Sequence, residues 1–405
     1  MKKSKKSKKK IGKPNRLLYA IVYHILKRKY KRKYHITFDK SIVKDIKGPA
    51  IVVASHTCDV DHILSALTLY PIRPTYIVSE HFMHNKKTSR LLKLMHVITK
   101  KMFTPDVSTI RNILRAKSEN AVIVIFPEGR LSCYGHTLPV ADGTAELIKK
   151  LGVDLYAWQA DGAYLSFPKW RDKGDSRVGE IKASVKLLLT KEEVMESSVC
   201  EIRRITESAI LHDDEKAMVG VEYKCNAIAC GVDRILFKCP KCLSEGTIFA
   251  EGNRIDCECG LSVTLDSCYR LHDAPFDSIN EWFEWQQKSI DTDTEVITSR
   301  VRLGCCGDDD FMDEHAGEGE VYLDKDIFRL TGMMHGEPID FSLKTERIGA
   351  FPITPGEHVD IYHDGRLIYI YPLPDTRASV KWVCFLDNLM DKKRSGLMEA
   401  PACNS

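Results

Sequence analysis

The sequence has no long hydrophobic run. No uninterrupted apolar stretch reaches the roughly 18–20 residues that a bilayer-spanning helix needs, which excludes a multi-span membrane protein. The N-terminal pattern also lacks a cleavable signal peptide, because its basic cluster is followed by about ten apolar residues and then by a second basic cluster. We therefore expect a reducing, cytosolic setting, in which clustered cysteines more often bind metals than form disulfides.

Acidic residues are missing from the first 33 positions, which hold fifteen Lys and Arg residues. The rest of the chain has 45 basic against 56 acidic side chains, so the net charge of +4 hides an acidic body with a basic arm. Such an arm predicts attachment to a polyanion, either an anionic membrane surface or nucleic acid. Its apolar segment 16–26 predicts a helix lying in the membrane interface, with packing against the next domain as the alternative.

From residue 34 to about residue 195, apolar runs alternate with amphipathic segments. GPAIVVASH and AVIVIFPEG are typical of buried strands that end in polar turns, whereas HILSALTLY and VSTIRNILRAKSEN have helical spacing. This alternation predicts an α/β fold with a mostly parallel sheet flanked by helices. Sites in such sheets lie at the carboxyl ends of the strands, where these two turns would stand.

The first turn carries an H-x4-D pair, His56 and Asp61. Imidazole is the side chain best suited to general-base chemistry near neutral pH, and a carboxylate on its other nitrogen would fix its tautomer. On spacing alone, Asp59 is an alternative partner for His56. A polar turn with satisfied hydrogen bonds is the structural alternative to a catalytic pair.

The second turn reads Phe126-Pro127-Glu128-Gly129-Arg130. Gly129 would let the backbone approach a ligand closely, and Arg130 offers a planar fork that suits phosphate. Glu128 would bind a substrate hydroxyl or hold Arg130 in place. The alternative is a strand-to-loop corner with a surface ion pair.

Together, the two turns resemble the glycerolipid acyltransferase family, of the 1-acylglycerol-3-phosphate O-acyltransferase type. The run of Ser55, His56 and Asp61 matches the first block of that family, and residues 126–129 match its F-P-E-G block. Arg130 stands where the family usually has Thr. The segment equivalent to the phosphate-binding block, residues 96–101, has lysines in place of the family's arginine. The resemblance spans residues 16–190.

The resemblance implies transfer of a fatty acyl group from acyl-CoA or acyl-carrier protein to the hydroxyl of a lysophospholipid such as 1-acylglycerol-3-phosphate. It implies His56 and Asp61 as catalytic residues, without an acyl-enzyme. The substrate-binding residues would be Glu128, Gly129, Arg130, Lys100 and Lys101. The basic arm and the expected reduced thiols indicate a peripheral or interfacial position on the cytoplasmic face of a membrane. The alternative function is a catalytically inactive fold of this type that binds lipid, or that binds nucleic acid through the basic arm and the cysteine-rich segment at 235–270.

A cysteine-rich segment follows, with a pattern that resembles a zinc ribbon: Cys239, Cys242, Cys257 and Cys259. Four thiolates predict a closed, tetrahedral and therefore structural zinc site. The second pair is C-x-C where a ribbon usually has C-x-x-C, so Cys268 is an alternative fourth ligand. Ribbons often bind nucleic acid, but this one lacks a basic run, which argues against that partner.

The composition, 43% hydrophobic and 29% charged over 405 residues, predicts two to four globular domains. Asp364-Gly365 between alternating runs predicts a hairpin, and the period-two pattern from residue 292 to 389 predicts strands. We expect these units: a basic tail and interfacial helix at 1–33; an acyltransferase-type α/β domain at 34–195; a helical connector at 196–234; a ribbon-like segment at 235–270; and a helix with a β-rich accessory domain at 275–390.

Overall fold

The computed structural model describes residues 13–83, 86–100, 107–172, 174–306, 312–348 and 351–399. Lys101 and residues 1–12 of the predicted basic arm lie outside the described residues. Three β-sheets follow one another along the described chain.

The first sheet has seven strands and is mostly parallel. Its strands are β1 (His35–Phe38), β2 (Ala50–Ala54), β3 (Thr75–Ser79), β4 (Ile98–Lys100), β5 (Val122–Ile125), β6 (Asp154–Asp161) and β7 (Glu180–Leu189). In the order β1-β7-β6-β2-β5-β3-β4, all neighbouring strands are parallel except β7 and β6. The predicted α/β architecture is confirmed.

Helices flank this sheet on both faces. They are α1 (Arg16–Lys33), α2 (Asp61–Leu69), α3 (Lys86–Leu94), α4 (Val107–Ser118), α5 (Thr144–Leu151), α6 (Ala163–Ser166), α7 (Lys191–Glu196), α8 (Val199–Ile210) and α9 (Asp214–Ala217). Short 3-10 turns lie at Glu80–Met83 and Val232–Arg234. Side chains of α1 and α2 belong to the core on one face, and side chains of α4, α5 and α8 belong to the core on the other.

Strand β2 is central and fully buried. Val52 and Ala54 point into the core under α1 and α2, whereas Ile51 and Val53 point into the opposite core. Burial on both faces explains its continuous run of apolar residues, which is typical of a parallel strand between two helical layers. The strand therefore gives a rigid base to the residues that follow it.

The second sheet has four antiparallel strands and contains the cysteine-rich segment. Its strands are β8 (Ile248–Glu251), β9 (Arg254–Cys257), β10 (Ser262–Leu265) and β11 (Leu271–His272), in the order β11-β10-β9-β8. Helix α10 (Ile279–Lys288) follows. The side chain of Gln286 on this helix accepts from the amides of Phe237 and Lys238, which ties the helix to the cysteine-rich segment.

The third sheet is antiparallel and has seven strands. They are β12 (Ile297–Cys306), β13 (Met312–Leu323), β14 (Ile327–Met334), β15 (Glu337–Lys344), β16 (Ile353–Thr354), β17 (His358–His363) and β18 (Arg366–Leu373), in the order β15-β14-β13-β12-β18-β17-β16. Helix α11 (Thr345–Ile348) follows β15. The predicted hairpin is present, since Asp364 and Gly365 join β17 to β18 with φ values of +47° and +75°.

The chain ends in a long helix, α12 (Ser379–Glu399), after a 3-10 turn at Thr376–Ala378. The prediction of strands up to residue 389 is therefore wrong beyond residue 373, where β18 ends. The six successive residues Trp382 to Asp387 include five that are buried, so the first turns of α12 are covered around most of their circumference. A helix buried on all sides has no polar face to mark a period of 3.6 residues, and its β-branched and aromatic residues favour a strand on propensity alone.

Loops and helix α6 of the α/β part share one hydrophobic core with the C-terminal region. Cys133, Tyr164 and Trp170, which belong to the α/β part, pack in the same cluster as residues of the second sheet, the third sheet and α12. The fully buried guanidinium of Arg177 reinforces this junction: it donates to the Tyr269 hydroxyl at 2.8 Å and lies 4.3 Å from the centroid of the Trp170 ring. The C-terminal region is therefore packed directly against the α/β part.

Candidate functional site

His56 and Asp61 meet at the carboxyl end of β2. The loop of residues 56–60 turns back after the strand, and Asp61 is the first residue of α2. The Nδ1 atom of His56 lies 3.1 Å from Oδ2 of Asp61. Asp59, the alternative partner, is exposed. Of the two carboxylates that the spacing allows, Asp61 is the one that contacts the imidazole.

The loop after β2 fixes the carboxylate of Asp61 through hydrogen bonds. Its Oδ2 atom accepts from the backbone amides of Thr57 at 2.8 Å and Cys58 at 2.9 Å, and its Oδ1 atom accepts from the Cys58 thiol at 3.0 Å. These three hydrogen bonds fix the carboxylate in position. With a proton on Nδ1 donated to Asp61, the Nε2 atom of His56 is left as a base. The His56 side chain is 24% exposed, so a ligand can reach it.

Glu128 lies beneath the His56 loop and does not face solvent. Its Oε1 atom accepts from the amide of His56 at 2.6 Å, and its Oε2 atom accepts from the amide of Leu138 at 2.8 Å. Burial raises the pKa of this carboxyl to about 8. Both oxygens are used by the backbone, so Glu128 links the two loops. Arg130 is not among the hydrogen-bond partners of Glu128, and the role of Glu128 toward a substrate hydroxyl stays a prediction.

Gly129 forms the turn after β5. Its φ of +75° lies in the left-handed region that glycine adopts without strain, and its amide donates to the carbonyl of Phe126 at 3.3 Å. The Phe126 ring packs on the imidazole of His56, with 4.4 Å between the ring centroids. Further along, the amide of Ser132 donates to the carbonyl of His56 at 2.9 Å. The turn after β5 therefore contacts both the imidazole ring and the backbone of His56.

Arg130 has a partner that the sequence did not indicate. Its guanidinium donates to Oδ2 of Asp387 on α12, 257 positions along the chain. The Arg130 side chain is 8% exposed and that of Asp387 is 20% exposed, so the ion pair is largely buried. No local signal marks Asp387, because the contact joins two parts of the chain that meet only in the folded structure.

The two predicted lysines are separate from this cluster. Lys100 is the last residue of β4, which lies three strands from β2 in the sheet order, or roughly 14 Å at the usual strand spacing. Its side chain is exposed at the same carboxyl edge of the sheet. Lys101 lies outside the described residues. The structure thus brings His56, Asp61 and Glu128 together, with Arg130 alongside, and leaves Lys100 at the edge strand.

The two cysteines near the site are buried thiols. Burial, and then the negative charge of Asp61, raise the pKa of Cys58 well above its usual value. Burial also raises the pKa of Cys133. Thiolates, not thiols, are nucleophilic, so neither residue has the environment of a reactive cysteine.

Four cysteine side chains converge in the second sheet. The sulfur atoms of Cys239, Cys242, Cys257 and Cys259 all lie within 4.8 Å of one another. The Cys239 and Cys259 sulfurs are 3.7 Å apart, and those of Cys242 and Cys257 are 3.8 Å apart. Tetrahedral bonds of about 2.3 Å to zinc place sulfurs about 3.8 Å apart, so this set fits the ion. The C-x-C pair supplies the fourth sulfur, and Cys268 is outside the cluster.

Helix α1 presents an apolar stripe to solvent. Leu17, Ile21 and Ile25 recur every four residues and are 71%, 49% and 62% exposed. Tyr19 and Tyr23 on the other side are buried, and the ring of Tyr23 stacks on that of Tyr70 at 3.7 Å. The last turn of the helix carries Lys31, Arg32 and Lys33. Among the residues that the structure describes, none of the helices combines the length and hydrophobicity that crossing a bilayer requires.

Both turns of the candidate site lie in a segment that matches a known family. Residues 23–158 match the model of the family described as Acyltransferase. That match includes β2 and β5 with their turns, and it ends at Trp158, before the second and third sheets.

One solved structure is also similar to this chain. It is the 1-acyl-sn-glycerophosphate (LPA) acyltransferase PlsC from Thermotoga maritima, at 18% sequence identity and a TM-score of 0.42. The similarity covers 48% of this chain and 76% of that chain.

Proposed function

We propose that this protein transfers a fatty acyl group from the thioester of acyl-CoA or acyl-carrier protein to the hydroxyl of a lysophospholipid, with His56 as the general base. The observation that carries the proposal is the contact of His56 Nδ1 with Asp61, in a histidine whose side chain is 24% exposed at the carboxyl edge of the sheet. This pair lies inside the segment that matches the Acyltransferase family.

The reaction needs one base and no covalent intermediate. His56 Nε2 removes the proton of the acceptor hydroxyl as the oxygen attacks the thioester carbonyl. The carbon–sulfur bond then breaks, and the leaving thiolate takes the proton from the imidazolium. Asp61 stabilises the imidazolium between these two steps, because its carboxylate lies 3.1 Å from Nδ1.

Direct transfer agrees with the state of the nearby thiols. An acyl-enzyme would require a nucleophile beside His56, and Cys58 is fully buried with its thiol donating to Asp61. The same carboxylate would oppose formation of a thiolate at Cys58. His56 is therefore assigned to the acceptor hydroxyl and not to a cysteine.

Transfer of a radiolabelled acyl group tests the proposal. Purified protein is given labelled acyl-CoA or acyl-carrier protein with a panel of lysophospholipids in vesicles. We expect label in phospholipid with the wild type and a loss of several orders of magnitude with His56→Ala. The matched control is His35→Ala, which removes an exposed histidine at the start of β1. Turnover by His56→Ala at the wild-type rate would overturn the assignment of the base, and no transfer to any acceptor would overturn the function.

We propose that the stripe of Leu17, Ile21 and Ile25 brings the enzyme to an anionic membrane, on its cytoplasmic face. A lysophospholipid acceptor resides in a bilayer, so the site must approach one. Apolar residues at four-residue spacing beside a basic last turn are suited to insertion at the level of the head groups.

Vesicle sedimentation tests this surface. Replacing all three stripe residues by serine should weaken binding to anionic vesicles by at least tenfold, since each exposed apolar side chain contributes roughly 1 kcal/mol on insertion. The matched control replaces Met195, Leu211 and Val219, which are similarly exposed elsewhere. Equal binding by both triple variants would contradict the role of α1.

We also propose that the four-cysteine cluster holds a structural zinc ion. All four ligand positions are filled by protein sulfurs, which leaves none for substrate and therefore gives the ion no part in the acyl transfer. Metal analysis should find about one zinc per chain in the wild type and in Cys268→Ser, and a loss of zinc in Cys242→Ser. Retention of zinc by Cys242→Ser would contradict the ligand set.

A further inference from the structure

The ion pair of Arg130 with Asp387 joins the candidate site to the C-terminal helix. Arg130 follows the turn that supports His56, and its positive charge is close enough to lower the pKa of Glu128 against the larger effect of burial. The guanidinium is almost inaccessible to water and donates to Asp387. In this arrangement the positive charge of Arg130 is already neutralised by a carboxylate of the same chain.

Neighbouring contacts hold this pair in place. The ring of Tyr134 stacks on Phe283 of α10 with 4.1 Å between centroids, and the negative charge of Asp387 is near enough to raise the pKa of the Tyr134 phenol, together with burial. The segment after Arg130 is thus packed on α10, and Arg130 itself is held by α12. One turn beyond Asp387, Asp391 adds a second carboxylate, 3.7 Å from Arg394.

We propose that Asp387 is a specificity-determining residue: by neutralising Arg130, it makes the site favour acceptors with a zwitterionic phosphodiester over acceptors with a phosphomonoester. This inference rests on the proposed acyl transfer to a lysophospholipid and names the class of acceptor within it.

The charge of the two acceptor classes gives the reason. An alkyl phosphomonoester carries a charge of about −1.5 to −2 at neutral pH. Near Arg130 it would meet a cation that is already paired and the carboxylate that pairs it, so it would have to displace Asp387 or tolerate its repulsion. A phosphodiester with an ammonium group has no net charge and supplies its own cation. The pair of Arg130 with Asp387 then need not open.

Competition between two acceptors tests the proposal. The probes are 1-acylglycerol-3-phosphoethanolamine and 1-acylglycerol-3-phosphate with the same acyl chain, presented in micelles of an uncharged detergent. The measured quantity is the ratio of their kcat/KM values. We expect the wild type to prefer the phosphoethanolamine acceptor. Asp387→Asn keeps the shape of the side chain and removes its charge, and should move the ratio at least tenfold toward the phosphomonoester.

Two control variants define the cause. Asp387→Glu retains the charge and should retain the wild-type preference. Asp293→Asn removes an exposed carboxylate that lies 3.0 Å from Nζ of Lys392, a residue of α12 like Asp387. This variant should leave the ratio unchanged. If Asp387→Asn raises or lowers both rates in equal proportion, Asp387 is a gate or a packing contact, and the proposal is overturned.

The outcomes also separate this inference from the proposed function. A wild type that prefers the phosphomonoester, or that acylates other hydroxyl acceptors but neither probe, overturns the role of Asp387 and leaves acyl transfer standing. A wild type that acylates no acceptor overturns both. Only a preference that follows the charge at position 387 supports the inference.

Discussion

The buried carboxyl of Glu128 predicts a specific dependence of stability on pH. Its pKa of about 8 in the folded protein lies well above the value of about 4.3 expected in the unfolded chain, because burial disfavours the charged form. The folded state therefore binds more protons than the unfolded state between these two values. For a carboxyl with a raised pKa, stability is present at low pH and is lost as the pH rises toward 8.

The size of this effect follows from the linkage relation. Each pH unit between the two pKa values changes the free energy of unfolding by about 1.4 kcal/mol, so Glu128 accounts for a loss of about 2.5 kcal/mol between pH 5.5 and 7.5. Glu128→Gln cannot ionise and loses this dependence. In this variant the side-chain NH2 group faces one of the two backbone N–H donors and cannot accept its hydrogen bond. The lost hydrogen bond lowers the free energy of unfolding by about 1–3 kcal/mol at every pH.

Urea unfolding at pH 5.5 and 7.5 measures both effects. The variant should be clearly less stable than the wild type at pH 5.5, and the difference should shrink by about 2.5 kcal/mol at pH 7.5. Glu192→Gln, at an exposed position of α7, is the control and should follow the wild type. Parallel pH profiles for the wild type and Glu128→Gln would refute the reasoning, since the carboxyl would then be ionised in the fold at both pH values.

Three further substitutions have defined outcomes. Asp61→Asn removes the charge that stabilises protonated His56, so kcat should fall by about 10²–10⁴-fold with little change in KM; a rate within threefold of the wild type would contradict this. Arg177→Lys should lower the free energy of unfolding, measured in urea, by about 3 kcal/mol, because one amine cannot donate to both Asp175 and Tyr269 as the guanidinium does. A loss below about 0.5 kcal/mol would contradict this. Gly129→Ala should lower the free energy of unfolding by about 1 kcal/mol, because its φ of +75° strains any residue with a Cβ atom. No atom lies within 4 Å of the new methyl group, so a loss above about 3 kcal/mol would show an unexpected clash.

The parts of the fold with local signals could be predicted from the sequence. Strands β2 and β5 have short apolar runs that end in polar turns, and the α/β alternation leaves little choice of architecture. The hairpin at Asp364 has φ above zero at both turn residues, and the Asp-Gly pair predicts such a turn because both residues favour that conformation. The first turns of helix α12 could not be predicted in the same way, because burial around their circumference removes the polar face that reveals a helix.

In the candidate site too, contacts between residues close in the sequence could be predicted, whereas contacts that depend on the fold could not. His56 and Asp61 are five residues apart, so a tight loop brings them together and the sequence alone indicates the pair. The position of Glu128 near the site could be predicted from its motif, but its hydrogen-bond partners could not. Both of its oxygens accept from backbone amides, and every residue except proline has such an amide, so the sequence does not single them out. Arg130 was expected to meet phosphate because a guanidinium suits phosphate, but the same chemistry suits a carboxylate, and only the fold decides that Asp387 is near.

The C-terminal region is therefore part of the site and not an appendage to it. The family match ends at Trp158, yet Arg130 is paired by α12, and Tyr134 is stacked on α10. A chain ending after α8 would leave the buried guanidinium without its carboxylate and would expose apolar surface that the shared core now covers. An unpaired buried charge and an exposed core both raise the free energy of the folded state, so the segment that matches the family depends on residues outside it. The second and third sheets bear on the candidate site by this route, since they pack against the two helices that hold the loop beside His56.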